Sequence, residues 1–277
     1  MTDKEKTKGK TKEKVKKEVP VLKLFYKELP VQVLECGIDE CGRGTLMGNV
    51  VAAAVVMPLS YEPGDLQYLQ IKDSKKLSKK KRALLSQYIH KVALGIGIGS
   101  CSPAEIDSMN IRNATFLAMH RALDQLNANI KGVGHLSHLI VDGNAFKPYY
   151  IKTNQTNQTN TNYESEGIEY LPFVTIIKGD DSYISIAAAS IVAKVYRDEQ
   201  VAELAETYPE YDKNYGWSHN MGYGTADHMA GIREHGITDY HRKTFAPCKI
   251  GKISKTDTIE NNKAEDLETD SDSDFES

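Results

Sequence analysis

Residues 34–48 read LECGIDECGRGTLMG, and the rest of the sequence is best interpreted outward from this stretch. An apolar run that is typical of a buried strand ends in two adjacent carboxylates, Asp39 and Glu40. The turn that follows places one arginine between two glycines: Gly42, Arg43 and Gly44. Hard cations such as Mg²⁺ prefer carboxylate oxygens, and glycine lets the backbone approach a ligand closely. The stretch predicts a place where a cation meets a phosphate, although an isolated acidic pair is more often a solvated turn.

The composition predicts one folded region between two charged tails. The chain has 277 residues, of which 40% are hydrophobic, and a net charge of −3. Residues 1–17 carry eight lysines against three acids, a net charge of +5, and residues 253–277 carry nine acids against two lysines, a net charge of −7. Neither tail has apolar periodicity, so we predict disorder over residues 1–30 and 251–277 and a folded domain over residues 31–250.

Several classes of protein are excluded by the sequence. It contains no run of 18 apolar residues, which predicts no membrane span. The N-terminus lacks the apolar core of a secretory signal, so we expect a cytoplasmic protein. The cysteines form no CxxC pair and are predicted to be reduced thiols rather than zinc ligands. They are Cys36, Cys41, Cys101 and Cys248.

The remaining pattern alternates strands and helices, which predicts the α/β class with a mixed sheet flanked by helices. Residues 49–57 are continuously apolar and predict a strand that is covered on both faces. Ser78 is the predicted N-cap of a basic helix, and a second helix is predicted to run without interruption over residues 103–126. Residues 153–168, TNQTNQTNTNYESEGI, predict a disordered low-complexity insertion in a loop.

Two further predicted strands end in acids. Residues 138–141 lead to Asp142, and residues 173–178 lead through a glycine to Asp180 and Asp181. Ligand sites in α/β sheets gather at strand ends, so these carboxylates are expected to meet Asp39 and Glu40, where they would repel one another without a divalent cation. Two metal ions about 4 Å apart can activate a water and stabilise the leaving oxygen of a phosphodiester.

The sequence leaves two points of this site open. Adjacent strand residues face opposite sides, so Asp39 and Glu40 can both serve only if the backbone bends at Gly42 or one of them contributes its carbonyl. Asp180 and Asp181 compete for the third strand end.

Other polar residues have two interpretations each. Lys75, Lys76 and Arg242 are candidate phosphate contacts, against a solvated basic surface. Tyr223 lies between two glycines and could be a stacking platform or an ordinary turn tyrosine. Ser190 lies on the small-residue face of a predicted helix, where packing is the first expectation.

Six motifs occur in a fixed order over residues 33–248. They are GIDECGRG at 37–44, DSKKLS at 73–78, VDGN at 141–144, KGDDSYISIAAASIVAKVYRD at 178–198, HNMGYGT at 219–225 and HRKTF at 241–245. Together they resemble ribonuclease HII, the type 2 ribonuclease H. The sequence departs from the family pattern at Cys41, where alanine is usual, and in the insertion at 153–168.

The resemblance implies a ribonuclease H-like fold with a C-terminal helical portion and a type 2 catalytic domain over residues 31–250. It implies that four carboxylates are both catalytic and metal-binding, with two Mg²⁺ or Mn²⁺ ions per site: Asp39, Glu40, Asp142 and Asp180. The spacing of the family motif thus favours Asp180 over Asp181. It further implies that the turn of Gly42, Arg43 and Gly44 binds the substrate together with Tyr223, and we add Lys75 and Ser190 to this set as candidate substrate contacts. In that set the turn at 42–44 senses the 2′-hydroxyl at an RNA–DNA junction, and the tyrosine packs on the deoxyribose beyond it.

The implied function is hydrolysis of RNA in RNA–DNA hybrids and at single ribonucleotides in duplex DNA, giving 5′-phosphate and 3′-hydroxyl ends. Roles in ribonucleotide excision repair and DNA replication follow from that substrate. A single-chain, monomeric enzyme is expected. The alternatives are a non-catalytic subunit that binds hybrids, which the presence of all four carboxylates disfavours, and a type 1 enzyme, which the turn at 42–44 and the late GYGT segment disfavour.

Overall fold

The computed structural model describes most of the predicted domain and little of the tails. The described residues are 22–26, 33–58, 60, 62, 65–130, 134–155 and 165–250. The predicted disorder over 251–277 and over most of 1–30 lies outside them, as does the part of the predicted insertion at 156–164. The elements of the described part are β1 Val33–Cys41, β2 Val50–Val56, α1 Lys79–Val92, β3 Gly95–Cys101, α2 Pro103–Met109, α3 Ile111–Asn129, β4 His135–Asp142, β5 Tyr149–Gln155, β6 Ser165–Leu171, β7 Phe173–Ile176, α4 Ile184–Thr207, α5 Pro209–Tyr215, α6 Trp217–Asn220 and α7 Ala226–His235. Short 3₁₀ turns cover Tyr68–Gln70, Ser74–Lys76, Gly179–Asp181 and Cys248–Ile250.

A five-stranded mixed sheet forms the centre of the fold, in the order β3-β2-β1-β4-β7. β1 is antiparallel to β2 and parallel to β4, and β4 is parallel to β7. The parallel pairs place the C-terminal ends of β1, β4 and β7 along one edge of the sheet. The predicted mixed sheet flanked by helices is confirmed.

Helices cover both faces of the sheet. Ala52 and Ala54 of β2 face the cluster that contains α3, whereas Ala53 and Val55 face the cluster that contains α1 and α4. Every residue of β2 is buried, as the continuous apolar run predicted. The alternation assigns each residue near the strand ends to one of two faces.

The strand β3 allows α3 to lie directly on its backbone. A Cβ atom on Gly97 would stand 2.0 Å from the Ala122 carbonyl oxygen, and one on Gly99 would stand 2.2 Å from that of Ala118. Only glycine permits this approach, because any side chain at either position would push the helix away.

The predicted helix over 103–126 is two helices, and this prediction was wrong at one residue. Asn110 has φ of +70° and ends α2, and its side-chain oxygen accepts a hydrogen bond from the Asn113 amide at 3.1 Å to start α3. Asparagine tolerates a positive φ and caps helices well, so it can turn the chain without a glycine. Ser102 caps the start of α2 in a capping box with Glu105.

Two of the predicted disordered regions, the insertion and the N-terminal tail, are shorter than predicted. The insertion over 153–168 was predicted as a loop, but residues 153–155 belong to β5 and residues 165–168 to β6, which pair in antiparallel register. A polar, low-complexity sequence can still form a hairpin, because the backbone supplies the hydrogen bonds. At the N-terminus, Lys23 exchanges backbone hydrogen bonds with Ser182 and Ile184 at 2.9 and 3.0 Å, so the folded part begins before residue 31.

The C-terminal helices α5, α6 and α7 pack into a third cluster. Tyr215 and Trp217 are buried there against Met47, which follows β1 in the sequence. The helical portion therefore supports the segment between β1 and β2. Among the helices of the described residues, none is long and apolar enough to cross a membrane.

Candidate active site

The predicted carboxylates come from three neighbouring strand ends, as the sheet topology requires. Ile38 and Val141 are partners in the parallel register of β1 and β4, so Asp39 and Asp142 occupy the next positions on adjacent strands. Asp180 lies in the 3₁₀ turn that follows β7. The Gly179 amide in that turn donates a hydrogen bond to Asp142 Oδ1 at 2.7 Å and joins the second and third strand ends.

Asp39 and Glu40 flank the end of β1 on opposite faces. A Cβ on Gly37 would stand 2.3 Å from the Ser185 backbone of α4, so Asp39 shares the α4 face, and Glu40 falls on the α3 face with Ile38. β1 stays in register with β2 from Gly37 through Cys41, so the chain does not bend between the two acids. The site surrounds the strand end.

A cavity of about 360 Å³ opens on the α3 side of this end. Glu40 and Asp142 line it together with Arg43, Arg112 and Asn144. The two carboxylates therefore face one solvent-filled space that basic side chains border.

Burial and repulsion from neighbouring acids raise the pKa of Asp39 and of Glu40. Burial raises the pKa of Asp39 well above its ordinary range, and the charges of Glu40 and Asp142 raise it further. Burial also raises the pKa of Glu40, against the effect of Arg43, whose Nη1 lies 3.2 Å from Glu40 Oε1. The two adjacent acids are thus held together at an electrostatic cost.

The pKa of Asp180 is also raised by burial and by neighbouring acids. The next residue, Asp181, lies in a different environment. Burial, followed by the charges of Asp142 and Asp73, raises the pKa of Asp180 to about 6. Asp181 instead forms a surface ion pair with Lys76. The geometry thus places Asp180 with the other carboxylates and gives its neighbour a different partner.

Lys75 is the cation that faces most of these carboxylates. Burial lowers its pKa, but the charges of Asp39, Asp180, Asp73 and Asp142 raise it, and the net shift is upward. The Asp73 side chain accepts a hydrogen bond from the Lys75 amide at 2.9 Å and fixes the start of the 3₁₀ turn.

Ser190 connects that turn to the carboxylates. Its hydroxyl is buried, lies 2.9 Å from Ser74 Oγ and hydrogen bonds to Asp39, which lowers the pKa of Asp39. Packing was the first expectation for Ser190, and the hydroxyl has this polar role as well. One helical turn later, Lys194 Nζ lies 5.7 Å from the centroid of the Tyr223 ring, which is 42% exposed.

The carboxylate set suits a hard divalent cation by its chemistry. Over the described part of the chain, no group of three or more His, Cys, Asp or Glu side chains is assembled to hold a metal ion. All four donors nevertheless offer oxygen atoms, and a cation would relieve the repulsion that raises the pKa of three of them.

The repulsion at Asp180 predicts a pH-dependent gain in stability on its removal. Between its ordinary pKa of 3.8 and about 6, the folded protein holds a proton that the unfolded chain has lost, so rising pH destabilises the fold. We expect Asp180→Asn to raise the melting temperature of the metal-free protein above pH 6 and to leave it unchanged below pH 4. Thermal melts of the wild type and the variant in EDTA across this pH range measure the change in melting temperature. An equal gain below pH 4 and above pH 6 would contradict an electrostatic origin.

The turn at 42–44 contains one glycine that is enclosed and one that is open. Gly42 has φ of +91°, and a Cβ there would stand 2.4 Å from Arg197 Nε and 2.9 Å from the Asn49 carbonyl oxygen. Around Gly44 a Cβ would meet no atom within 4 Å. The first glycine is required by the fold, and the second leaves open space at an exposed position of the turn.

A fully buried arginine that the sequence analysis missed holds this segment. Arg197 donates hydrogen bonds to Thr45 Oγ1 at 3.0 Å and to the carbonyls of Met47, Asn49 and Met221 at 3.2, 3.3 and 2.8 Å. It therefore joins the segment after the turn to the loop that carries Tyr223. Its only signal in the sequence is its place in the long 178–198 motif.

Arg242 is a second buried arginine, and its prediction as a phosphate contact was wrong. It is 0% exposed and donates to the Gly48 carbonyl at 3.1 and 2.9 Å and to the Arg43 carbonyl at 3.0 Å. Its donors are directed at the backbone that carries the predicted 2′-hydroxyl sensor. It supports that segment from inside the protein.

Known proteins match most of the length of this chain. The family model described as Ribonuclease HII matches residues 36–248. The chain is 44% identical to a protein named Ribonuclease HII from Phocaeicola vulgatus, over 77% of this chain and 89% of that protein. It is 45% identical to one of the same name from Bacteroides thetaiotaomicron, over 80% of this chain and 94% of that protein.

Two solved structures share the fold at low identity. The crystal structure of ribonuclease H2 from Pyrococcus horikoshii OT3 superposes with a TM-score of 0.51 at 19% identity, covering 78% of this chain and 95% of that chain. The crystal structure of Bst-RNase HIII in complex with Mn²⁺ superposes with a TM-score of 0.55 at 18% identity, covering 79% of this chain and 68% of that chain. These two matches support the ribonuclease H-like fold.

Proposed function

Since this chain belongs to the ribonuclease HII family, whose members are endonucleases that hydrolyse RNA in RNA–DNA hybrids, we propose that it also cuts at single ribonucleotides embedded in duplex DNA. The observation that carries this proposal is the open space at Gly44, next to the exposed Arg43, which pairs with Glu40 and whose carbonyl accepts a hydrogen bond from Arg242. A nucleic-acid backbone can approach the turn there, and the 2′-hydroxyl is the group that distinguishes RNA from DNA.

Asp39, Glu40, Asp142 and Asp180 would hold two divalent ions, Mg²⁺ or Mn²⁺, in keeping with the metal dependence of the family. When bound, the ions supply an activated water and charge stabilisation at the scissile phosphate, so that the products carry 5′-phosphate and 3′-hydroxyl ends. Ser190 orients Asp39 through its hydroxyl, and the Gly179 amide orients Asp142.

The remaining substrate contacts follow from position and charge. Lys75 reaches the same carboxylates and would neutralise a phosphate that approaches them. The exposed ring of Tyr223, with Lys194 beside it, would pack on the deoxyribose beyond the junction. Ribonucleotide-containing duplex DNA and RNA–DNA hybrid are the partners of this surface. A monomeric enzyme and a cytoplasmic location stay predictions.

Cleavage of three end-labelled duplexes in Mg²⁺ or Mn²⁺ tests the proposal: DNA with one ribonucleotide, a continuous RNA–DNA hybrid, and all-DNA. We expect cutting on the 5′ side of the lone ribonucleotide and within the hybrid, and none of all-DNA. Cutting of the hybrid alone would refute the junction specificity. Binding of all RNA-containing duplexes without cutting would favour the non-catalytic hybrid-binding subunit.

A further inference from the structure

We infer that His228 and His241 are positioning residues for Tyr223, acting through a directional chain of hydrogen bonds that ends on the backbone of this tyrosine. The inference rests on the proposed function of Tyr223 at the junction. Neither histidine was assigned a role from the sequence.

The chain of hydrogen bonds fixes the tautomer of each histidine. The Thr238 amide can only donate, so His241 Nδ1, at 3.0 Å, accepts and carries no proton. The proton of His241 is therefore on Nε2 and is donated to His228 Nε2 at 3.1 Å. His228 consequently carries its proton on Nδ1 and donates it to the Tyr223 carbonyl oxygen at 3.0 Å.

Both rings are in a setting that keeps them neutral. They are 0% exposed and pack against the aromatic rings of Tyr215 and Trp217. Burial lowers the pKa of His228, and burial together with the neighbouring His228 lowers the pKa of His241 to about 3. A neutral pair is what the chain requires, because a protonated imidazole has no acceptor nitrogen.

The target of the chain is a loop whose shape needs support. Met221 and Gly222 have φ of +51° and +77°, values that a side-chain-bearing residue such as methionine rarely adopts. Three consecutive carbonyls of this loop are each held by a donor from elsewhere in the fold. Arg197 Nη1 donates to the Met221 carbonyl at 2.8 Å and the Leu46 amide to the Gly222 carbonyl at 2.8 Å. His228 donates to the Tyr223 carbonyl, which also accepts a hydrogen bond from the Thr225 amide at 2.8 Å.

The third of these contacts acts at the tyrosine itself. The Tyr223 ring is half-exposed, so packing alone does not fix it, and its direction depends on the backbone from which it projects. The first two contacts tie the loop to the segment that follows the turn at 42–44. The histidine pair then sets the orientation of the Tyr223 ring relative to the turn at 42–44. It thereby sets the distance between the turn and the ring, the two elements that would contact the RNA–DNA junction.

Two substitutions of His228 separate its two hydrogen bonds. Asparagine places an amide near the position of Nδ1 and can still donate to the Tyr223 carbonyl, whereas glutamine reaches the position of Nε2 and keeps only the contact with His241. The readout is the ratio of kcat/KM for single-ribonucleotide DNA to kcat/KM for the continuous hybrid. We expect His228→Gln to lower this ratio about tenfold, as loss of a supporting partner commonly does, and His228→Asn to restore it to within about threefold of wild type. A purely structural role would lower both rates together and leave the ratio unchanged, which would overturn the inference.

Two further measurements separate this inference from the proposed function. Tyr223→Ala should lower the same ratio; an unchanged ratio there would refute the role of the tyrosine, and with it the purpose of the chain. Long-range ¹H–¹⁵N NMR spectra of the histidine-labelled protein test the chain without any substrate. We expect His228 as the Nδ1–H tautomer and His241 as the Nε2–H tautomer, and the reverse assignment would overturn the inference even if all duplexes were cut as proposed.

Discussion

Replacing Asp39 with asparagine should abolish cleavage while making the metal-free protein more resistant to heat. Loss of a mere supporting partner of a metal ligand commonly costs about ten- to a hundredfold in activity, so loss of a carboxylate that would bind the ions should cost more than about a hundredfold. The fold should gain, because burial and the charges of Glu40 and Asp142 disfavour the ionised carboxylate. An amide oxygen can still accept the Glu40 amide hydrogen bond, which is 2.8 Å long in the wild type. Single-turnover cleavage in Mg²⁺ and thermal melts in EDTA at pH 8 measure the two effects.

The matched control for this substitution is Asp181→Asn. Asp181 is an acid of the same edge of the sheet, but its partner is Lys76 on the surface. Surface substitutions rarely change stability by more than about 0.5 kcal/mol, and we expect cleavage within about threefold of wild type. Wild-type rates in Asp39→Asn, or equal losses in both variants, would refute the assignment of the carboxylates.

The two glycines of the turn at 42–44 should respond to alanine in opposite ways. Gly42→Ala forces a side chain onto Arg197 and the Asn49 carbonyl at a positive φ, so we expect a loss of about 2 kcal/mol or more in the free energy of unfolding. Gly44→Ala meets no protein atom and should leave stability within about 0.5 kcal/mol of wild type. Its methyl group would nevertheless enter the space through which we propose that the nucleic acid approaches, so cleavage should fall at least about tenfold, mainly through KM.

Denaturant unfolding measures the stability of the Gly42→Ala and Gly44→Ala variants, and steady-state kinetics on the single-ribonucleotide duplex measure their cleavage. Gly143→Ala is a useful reference, because Gly143 also has open space around its Cα but has a positive φ of +98°, so strain without a clash is measured separately. Full activity in a stably folded Gly44→Ala protein would remove the turn from the substrate interface. Unchanged stability in Gly42→Ala would mean that Arg197 is not held as described.

The positions of the carboxylates could be predicted because they depend on local sequence. Each acid directly follows an apolar run, and the ends of parallel neighbours in a sheet converge whatever the intervening chain does. The alternation of strand residues correctly predicted that Asp39 and Glu40 lie on opposite faces of β1. At a strand end the two faces are no longer separated by the sheet, and Asp142 lies close enough to raise the pKa of both acids.

The parts that the sequence did not reveal depend on contacts between distant segments. Arg197 and Arg242 resemble surface cations in sequence, yet both are fully buried on backbone carbonyls that lie far away in the chain. The histidine pair similarly joins two segments that are brought together by α7. Asn110 was missed for a different reason, since a helix break that uses asparagine rather than glycine or proline interrupts no apolar pattern.

The hairpin of β5 and β6 has a consequence for how this family can diversify. It lies in the connection between Asp142 and Asp180, but the relation between those two acids is set by the β4–β7 pairing and the Gly179 amide. The positions of the two acids therefore do not depend on the length of this connection. Descendants of a common ancestor can lengthen, shorten or redecorate this hairpin without disturbing the acids on either side of it, which makes the segment a natural place for lineage-specific additions.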